Sequence, residues 1–293
     1  MQPIKENLFK KHDLNLFIKR DDLIHKHISG NKWRKLKYNF EDCINKNKKR
    51  IITFGGAFSN HVVALSFAAK LYKIKTLAFI RGEKEYAKNS SLSFAIENGM
   101  ELVFISRSEY KLKESSLIFK KIFSKNDYYV QEGGSNPLGE RGASEIINEI
   151  KINYDYLVSA VGTGTTIFGM SKNNDNLNKK TIGILTLKNE DSIKNLIIKN
   201  KLNGIKIFSS YHFGGYAKYT EKLIDFILFF KERYNITLDP IYTGKALFAI
   251  YDLTQKGFFK KGTTIIFLHT GGIQGILGFN QMHNTRLRLL DNV

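Results

Sequence analysis

Apolar positions along this chain gather into short blocks separated by mixed segments. Runs of strand length recur at LFI (16–18), IITF (51–54), TLAFI (76–80), LVFI (102–105), YYV (128–130), YLVSAV (156–161), IGILTL (182–187), IKIF (205–208) and TIIFLH (264–269). Most are continuous rather than alternating, which is the pattern of strands covered on both faces. Between them, apolar residues return at intervals of three and four. HVVALSFAAKLY (61–72) predicts a helix in this way, and SLSFAIENG (91–99) predicts another that ends on a glycine suited to the position after a helix. Short buried strands alternating with helices predict an α/β protein with mainly parallel, doubly wound sheets. The three prolines lie outside or at the edges of these elements, and Pro137, in QEGGSNPLGERG (131–142), marks the longest glycine-rich loop and a crossing between two lobes. KNNDNLNKK (172–180) reads as an exposed polar loop, and no internal repeat is visible.

Composition narrows the class. A chain of 293 residues, 42% hydrophobic and 13% aromatic, can bury one large α/β core or two smaller ones. No apolar run approaches the ~18–20 residues that cross a bilayer. The first residues, MQPIKENLFKKHDLN, lack the apolar core of a secretory signal. A single cysteine, Cys43, excludes an intramolecular disulfide and a cysteine-built metal site; it reads as a partly buried thiol in a helix, and a reducing cytoplasm fits. The formal charge of +19 is spread through every segment, and its one dense run, NKNKKR (45–50), reads as a solvated loop. Without clustering, that charge indicates no nucleic-acid partner, although a positive field would steer a small anionic substrate.

Three strands end in glycine-rich turns that lead into helices: GGAFSNH after residue 54, GTGTT at 162–166 and TGG at 270–272. Ligands collect at such places in open α/β sheets. The turn from Gly162 through Thr163, Gly164 and Thr165 to Thr166 has the composition of a phosphate cradle, with backbone N–H groups, hydroxyls and a helix N-terminus. An ordinary tight turn would have the same composition, and neither a Walker A nor a GxGxxG pattern is present. Ser59, Asn60 and His61 begin a helix. They serve either as its cap or as an anion pocket. SGNKWRKLKYNF (29–40) is a glycine-led run with four basic residues, Lys32, Arg34, Lys35 and Lys37.

Taken in order, KRDDL (19–23) with SGNKWRKLKY, then GGAFSNH, VGTGTT, LDPIYTGKA (238–246) and FLHTGG (267–272) resemble the 1-aminocyclopropane-1-carboxylate deaminase/D-cysteine desulfhydrase family of tryptophan-synthase-β-like, fold type II pyridoxal-phosphate enzymes. The resemblance covers most of the chain. It implies a two-lobed α/β fold: residues 1–35 plus 143–293 as a larger cofactor-binding domain and residues 36–142 as a smaller inserted one, with Gly133, Gly134 and Gly142 as hinges. It implies pyridoxal 5'-phosphate held by Lys32 as a Schiff base, with Lys35 and the GTGTT turn on the phosphate. Asn60 would meet the ring hydroxyl, and Ser59, Asn60 and His61 the substrate carboxylate. Tyr242 and Tyr216 would be active-site tyrosines, and Thr270 or Thr243 would stand near the pyridine nitrogen. Trp33, Arg34 and Lys37 would point elsewhere, into packing and solvent. A homodimer is usual for such enzymes.

Deaminase members resemble YEGK where this chain reads Tyr242-Thr243-Gly244-Lys245, and desulfhydrase-like members resemble YTGK. A hydroxyl supports the protonated ring less than a carboxylate does. The resemblance therefore favours β-elimination from a small amino acid such as D-cysteine, giving pyruvate, ammonia and sulfide, with Lys32 as the base, Tyr242 as a possible partner and Ser59 positioning the substrate. Cyclopropane-carboxylate deamination is the alternative. A non-catalytic basic binding protein on the same scaffold is the third.

Overall fold

The structure, a computed structural model, describes residues 1–28, 30–172, 180–283 and 285–287. The polar stretch at 172–180 therefore lies almost wholly outside the described residues. Ten strands are present among the described residues: β1 (Gln2–Ile4), β2 (Asn15–Arg20), β3 (Arg50–Gly56), β4 (Lys75–Arg81), β5 (Met100–Ile105), β6 (Asp127–Tyr129), β7 (Tyr156–Val161), β8 (Lys180–Leu185), β9 (Ile205–Phe208) and β10 (Thr264–His269). They form a six-stranded sheet, ordered β1-β2-β10-β7-β8-β9, and a four-stranded sheet, ordered β5-β4-β3-β6. All pairs are parallel except β1 with β2. The helices are α1 (Asn7–Lys11), α2 (Asn31–Asn45), α3 (Asn60–Tyr72), α4 (Ser90–Glu97), α5 (Arg107–Leu112), α6 (Leu117–Ile122), α7 (Pro137–Asn148), α8 (Thr165–Lys172), α9 (Glu190–Lys199), α10 (Glu221–Tyr234), α11 (Thr243–Gln255) and α12 (Gly275–Met282).

The inner strands β3, β4 and β10, and most of β8, bury both of their faces, which is why their sequence runs lack alternation. Along β10, Ile265 and Phe267 pack with α10 and α11, while Ile266 and Leu268 pack with α7, α8 and α9. The small sheet divides likewise. Ile51, Ala78 and Ile80 face α2, α3 and α4, and Ile52, Phe54, Leu77 and Phe79 face α5 and α6. Helices cover both sides of mainly parallel sheets, the α/β architecture that the alternating elements predict.

Four details depart from the expectations. β1 escaped notice because it is a three-residue edge strand containing Pro3, where a missing N–H costs no ladder bond. Half of the stretch at 131–142 is not loop, since Pro137 opens α7 and Asn136 caps it. Gly142 lies inside α7, where a side chain would meet the Arg34 carbonyl at 1.8 Å, so it permits close helix packing and is not a hinge. The boundaries suggested at 35/36 and 142/143 both fall within helices, α2 and α7, which pack on one another.

Candidate functional site

The carboxyl ends of β3, β4, β7, β8 and β10 converge on one cavity of ≈ 730 Å³ between the two sheets. The N-termini of α2 and α3 enter it. Gly30 ends the approach to α2 with φ of +48°, and a side chain there would strike the Thr270 carbonyl at 2.2 Å. This glycine lets the start of α2 dock on the end of β10, where the Asn31 N–H donates to Thr270 O (3.3 Å). Lys32 and Lys35, one turn apart, both face the cavity.

Among the described residues neither lysine has a carboxylate in ion-pair contact, and Lys32 Nζ donates to Asn31 Oδ1 at 3.3 Å. Burial lowers Lys32 to about 8, against a raising influence from Asp239. Burial, and then the charge of Lys32, holds Lys35 well below the ordinary lysine range. An amine at about 8 is neutral in about a tenth of molecules at pH 7, far more often than an ordinary lysine, and so can act as a nucleophile.

Opposite, the GTGTT turn lies between β7 and α8. Gly162, Thr163, Gly164 and Thr166 line the cavity, with Thr165 just behind. Hydroxyls link up, Thr163 Oγ1 to Thr165 Oγ1 at 3.0 Å and Thr165 donating to Ser135 Oγ at 2.9 Å, while Asn31 donates to Thr166 Oγ1 at 3.0 Å. The turn thus offers hydroxyls and helix N–H groups to an anion facing Lys35.

Ser59 caps α3, its Oγ accepting from the Val62 N–H (3.4 Å), and it also lines the cavity. The capping and anion-pocket readings are therefore compatible. Asn60 Oδ1 is buried without a partner. His61 is more constrained. Thr53 gives its only hydroxyl proton to Val130 O (2.7 Å), so it must accept from His61 Nε2–H (2.9 Å). That fixes the tautomer and leaves Nδ1 a bare, buried acceptor. Burial first, and then Lys32 and Lys35, lower His61 to about 3. The ring therefore presents no proton toward a carboxylate; the free N–H groups of the first turn of α3 do.

Tyr242, Tyr216 and Thr270 also line the cavity. The Tyr242 ring approaches Gly162, where a side chain would meet it at 3.2 Å, and burial raises its hydroxyl pKa strongly. Tyr216 is 41% exposed, yet its hydroxyl is sheltered and pushed up to about 12, chiefly by burial. Thr243 is wholly buried behind the wall and does not reach the cavity, so of the two threonines only Thr270 does.

Two groups escaped the sequence reading. Asp239, in LDPIYTGK, accepts from the N–H groups of Ile241 (2.9 Å), Tyr242 (2.7 Å) and Thr243 (2.9 Å), and from the Thr243 hydroxyl (2.6 Å). Its carboxylate caps α11, beginning one residue after Pro240, which has no N–H to give. The Asp-Pro pair before an apolar helical run was the available signal. Lys245, fully buried, donates to Gly215 O (2.8 Å), His212 O (2.9 Å) and Thr186 O (3.3 Å), which ties the Tyr216 loop to the end of β8. Burial lowers it to about 8.

Arg34 overturns the expectation of a helix-surface residue. It is 5% exposed and donates to Asp21 (2.7 and 3.0 Å) and Glu149 (2.6 and 2.7 Å), while Lys19 joins both carboxylates at 2.6 Å. Burial opposes its charge, but Glu149 and Asp21 raise its pKa overall. Arg20 pairs with Asp22 and Lys37 with Glu145. The KRDD segment is thus the clamp that fixes α2 and aims Lys32.

An amine near 8, a hydroxyl-lined anion cradle beside a second lysine and an orphaned Asn60 oxygen suit an aldehyde, a phosphate and a ring hydroxyl respectively, and so fit pyridoxal 5'-phosphate. Residues 4–271 match the family model described as pyridoxal-phosphate dependent enzyme. The chain belongs to that family. Within it, the chain is 32% identical, over 92% of its length and 88% of the relative's, to a Pyrococcus horikoshii protein provisionally named a 1-aminocyclopropane-1-carboxylate deaminase. It is 28% identical, over 89% of its length and 73% of the relative's, to the mitochondrial bifunctional D-cysteine desulfhydrase/1-aminocyclopropane-1-carboxylate deaminase of Arabidopsis thaliana. A crystal structure of an ACC deaminase homologue superposes with a TM-score of 0.80 at 30% identity, covering 99% of this chain and 92% of that one. The protein is therefore a pyridoxal-phosphate enzyme of the deaminase/desulfhydrase group, whose members act on small amino acids. The binding-protein reading loses its support.

Proposed function

We propose that this enzyme performs β-elimination in the manner of a D-cysteine desulfhydrase, releasing pyruvate, ammonia and sulfide. The observation that carries this reading is that Thr270 lines the cavity with Thr243 and Asp239 behind it, while among the described residues the one carboxylate of the lining, Glu132, is engaged by Tyr110 and Lys113. Thr243 turns its proton onto Asp239, and the two oxygens of Asp239 already accept four bonds from Ile241, Tyr242 and Thr243. Bound pyridoxal phosphate supplies an electron sink for the charge left when the α-proton departs. A wall of hydroxyls supports that sink weakly, which suits a readily leaving thiol better than a strained carbon–carbon bond.

Lys32 would hold the cofactor and, with its amine near neutrality, take the α-proton. Lys35 and the GTGTT turn would hold the phosphate, and Asn60 the ring hydroxyl. The substrate carboxylate would lie on Ser59 and the free N–H groups at the start of α3, fixing the α-C–H bond for removal. Tyr242 would shield the site and Tyr216 its mouth. We further infer a homodimer working in a reducing cytoplasm, its two sheets moving as lobes; light scattering of the purified protein tests the dimer.

A specific observation favours the deaminase alternative, namely the name of the Pyrococcus horikoshii relative. A panel of D-cysteine, β-chloro-D-alanine, D-serine, L-cysteine and 1-aminocyclopropane-1-carboxylate, assayed for pyruvate and 2-oxobutyrate, separates the two. Pyruvate from D-cysteine is the expected result. Turnover of the cyclopropane substrate with none on D-cysteine would reverse the choice.

A further inference from the structure

Beyond Lys32 and Lys35, three exposed basic residues, Arg81, Arg107 and Lys188, line the cavity beside one carboxylate among the described residues, Glu132. Arg81 is the last residue of β4 and lines the cavity at the carboxyl end of the small sheet. Its guanidinium lies 5.5 Å from the centre of the Tyr110 ring, and no ion pair to it occurs among the described residues. The nearby carboxylate of Glu132 is already committed, one oxygen to the Tyr110 hydroxyl (2.5 Å) and the other to Lys113 (2.6 Å). Arg107, at the start of α5, and Lys188, beyond β8, line the same cavity and also lack a carboxylate partner among the described residues.

Position decides what this cation can touch. A side chain built on Gly56 would stand 3.8 Å from Arg81 Nη2. Gly56 belongs to the GGAFSNH turn, three residues before Ser59, so Arg81 borders the proposed carboxylate pocket. The β-substituent of an amino acid bound there starts only three bonds from that carboxylate's carbon. Hydrogen sulfide leaving from cysteine is too small to engage a planar guanidinium through two bonds, whereas a carboxylate, phosphate or sulfonate matches its geometry.

We propose that Arg81 is a specificity residue and that, besides D-cysteine, the enzyme eliminates from amino acids whose β-substituent carries a negative charge. The proposal rests on the elimination reading and names its side-chain class. In the reaction, the bond from Cβ to the substituent breaks with its electron pair on the departing anion, and the α-proton goes to the base. Water then completes pyruvate and ammonium, so O-phosphoserine and one water give pyruvate, ammonium and hydrogen phosphate. Arg81 meets the charge both before and after it leaves.

The test uses holoenzyme and both enantiomers of each probe. Aspartate and asparagine have no β leaving group, so calorimetric titration compares their binding without turnover. The expected result is that aspartate binds about tenfold or more tighter than asparagine in the wild type and that Arg81→Gln removes this difference, with Arg81→Lys retaining part of it. With substrates, Arg81→Gln lowers kcat/KM about tenfold or more further for O-phosphoserine than for β-chloroalanine. Equal binding of aspartate and asparagine by the wild type, or no binding of aspartate, overturns the proposal, as does an equal loss on charged and neutral substrates. If no probe yields a keto acid, the elimination reading fails, and the aspartate-to-asparagine ratio still decides the role of Arg81.

Discussion

Helix α2 has two basic faces that meet opposite fates. On one, Arg34 is locked to Asp21 and Glu149 together with Lys19, and Lys37 is held by Glu145. On the other, Lys32 and Lys35 look into a cavity with no carboxylate in contact, and their pKa values fall. Charge that is paired inside the protein serves the fold. Charge left unpaired in a buried place serves a ligand, because desolvating it would otherwise be a net cost. The run NKWRKLK shows both uses within seven residues.

The largest expected break in this comparison is at the reactive amine. Lys32→Ala should lower turnover by about a thousandfold or more, and the purified variant should stay colourless after incubation with pyridoxal phosphate. Its apo form should melt no lower than the wild type, since Lys32 has no ion pair to lose. A coloured, active variant would remove Lys32 from the mechanism.

The paired face should respond in the opposite way. Asp21→Asn leaves Arg34 and Lys19 buried with less counter-charge, and denaturant titration should show a loss of about 3–5 kcal/mol. Below its unfolding transition, this variant should still take up cofactor. A loss under about 1 kcal/mol would mean that the cluster is effectively solvated.

Much of this division was hidden in the sequence, for a physical reason. Strands at 156–161 and 264–269 could be read to the residue, because burial on both faces makes the signal continuous, and the edge strand at 205–208 by its short apolar run. Ser59 and the GTGTT turn stood out because they sit where strands hand over to helices, and Lys32 through the resemblance of its GNK motif; the structure brings all three to one cavity. Arg34 could not, since its partners are 13 and 115 residues away and nothing in NKWRKLK distinguishes a clamped arginine from a solvated one. Asp239, Lys245 and Arg81 were missed for the same reason: their roles come from backbone carbonyls, N–H groups and a cavity that only the fold assembles.

A milder substitution separates the two uses of charge in one molecule. Lys35→Met removes an unpaired buried cation, so the apo protein should gain about 1 kcal/mol or more, as replacing a buried charge by a packed apolar chain often does. The holoenzyme should lose about 10–100-fold in cofactor affinity by equilibrium dialysis, the worth of one charge-assisted contact to phosphate. If the apo protein were destabilised instead, Lys35 would belong with Arg34.

The smallest effect is graded rather than all-or-none, and it comes from pH. Lys32 is lowered to about 8, so the neutral amine that attacks the cofactor aldehyde becomes scarcer as pH falls below that value. The rate of cofactor uptake by apo protein should therefore drop about tenfold per pH unit below 8 and level off above it. The unfolded chain binds this proton more tightly than the folded one does, so the same group makes apo stability rise with pH between about 8 and the ordinary lysine value. Glu149, on the paired face, acts with the same sign but in acid. Its hydrogen bonds from Arg34, helped by Lys19, lower it to about 2, so its contribution is complete above the usual carboxylate range and fades as pH falls toward 2. Uptake kinetics and a stability profile measured on the same apo preparation should thus show one transition near 8 and another only in acid. A single transition shared by both would mean that the two faces of α2 titrate as one network.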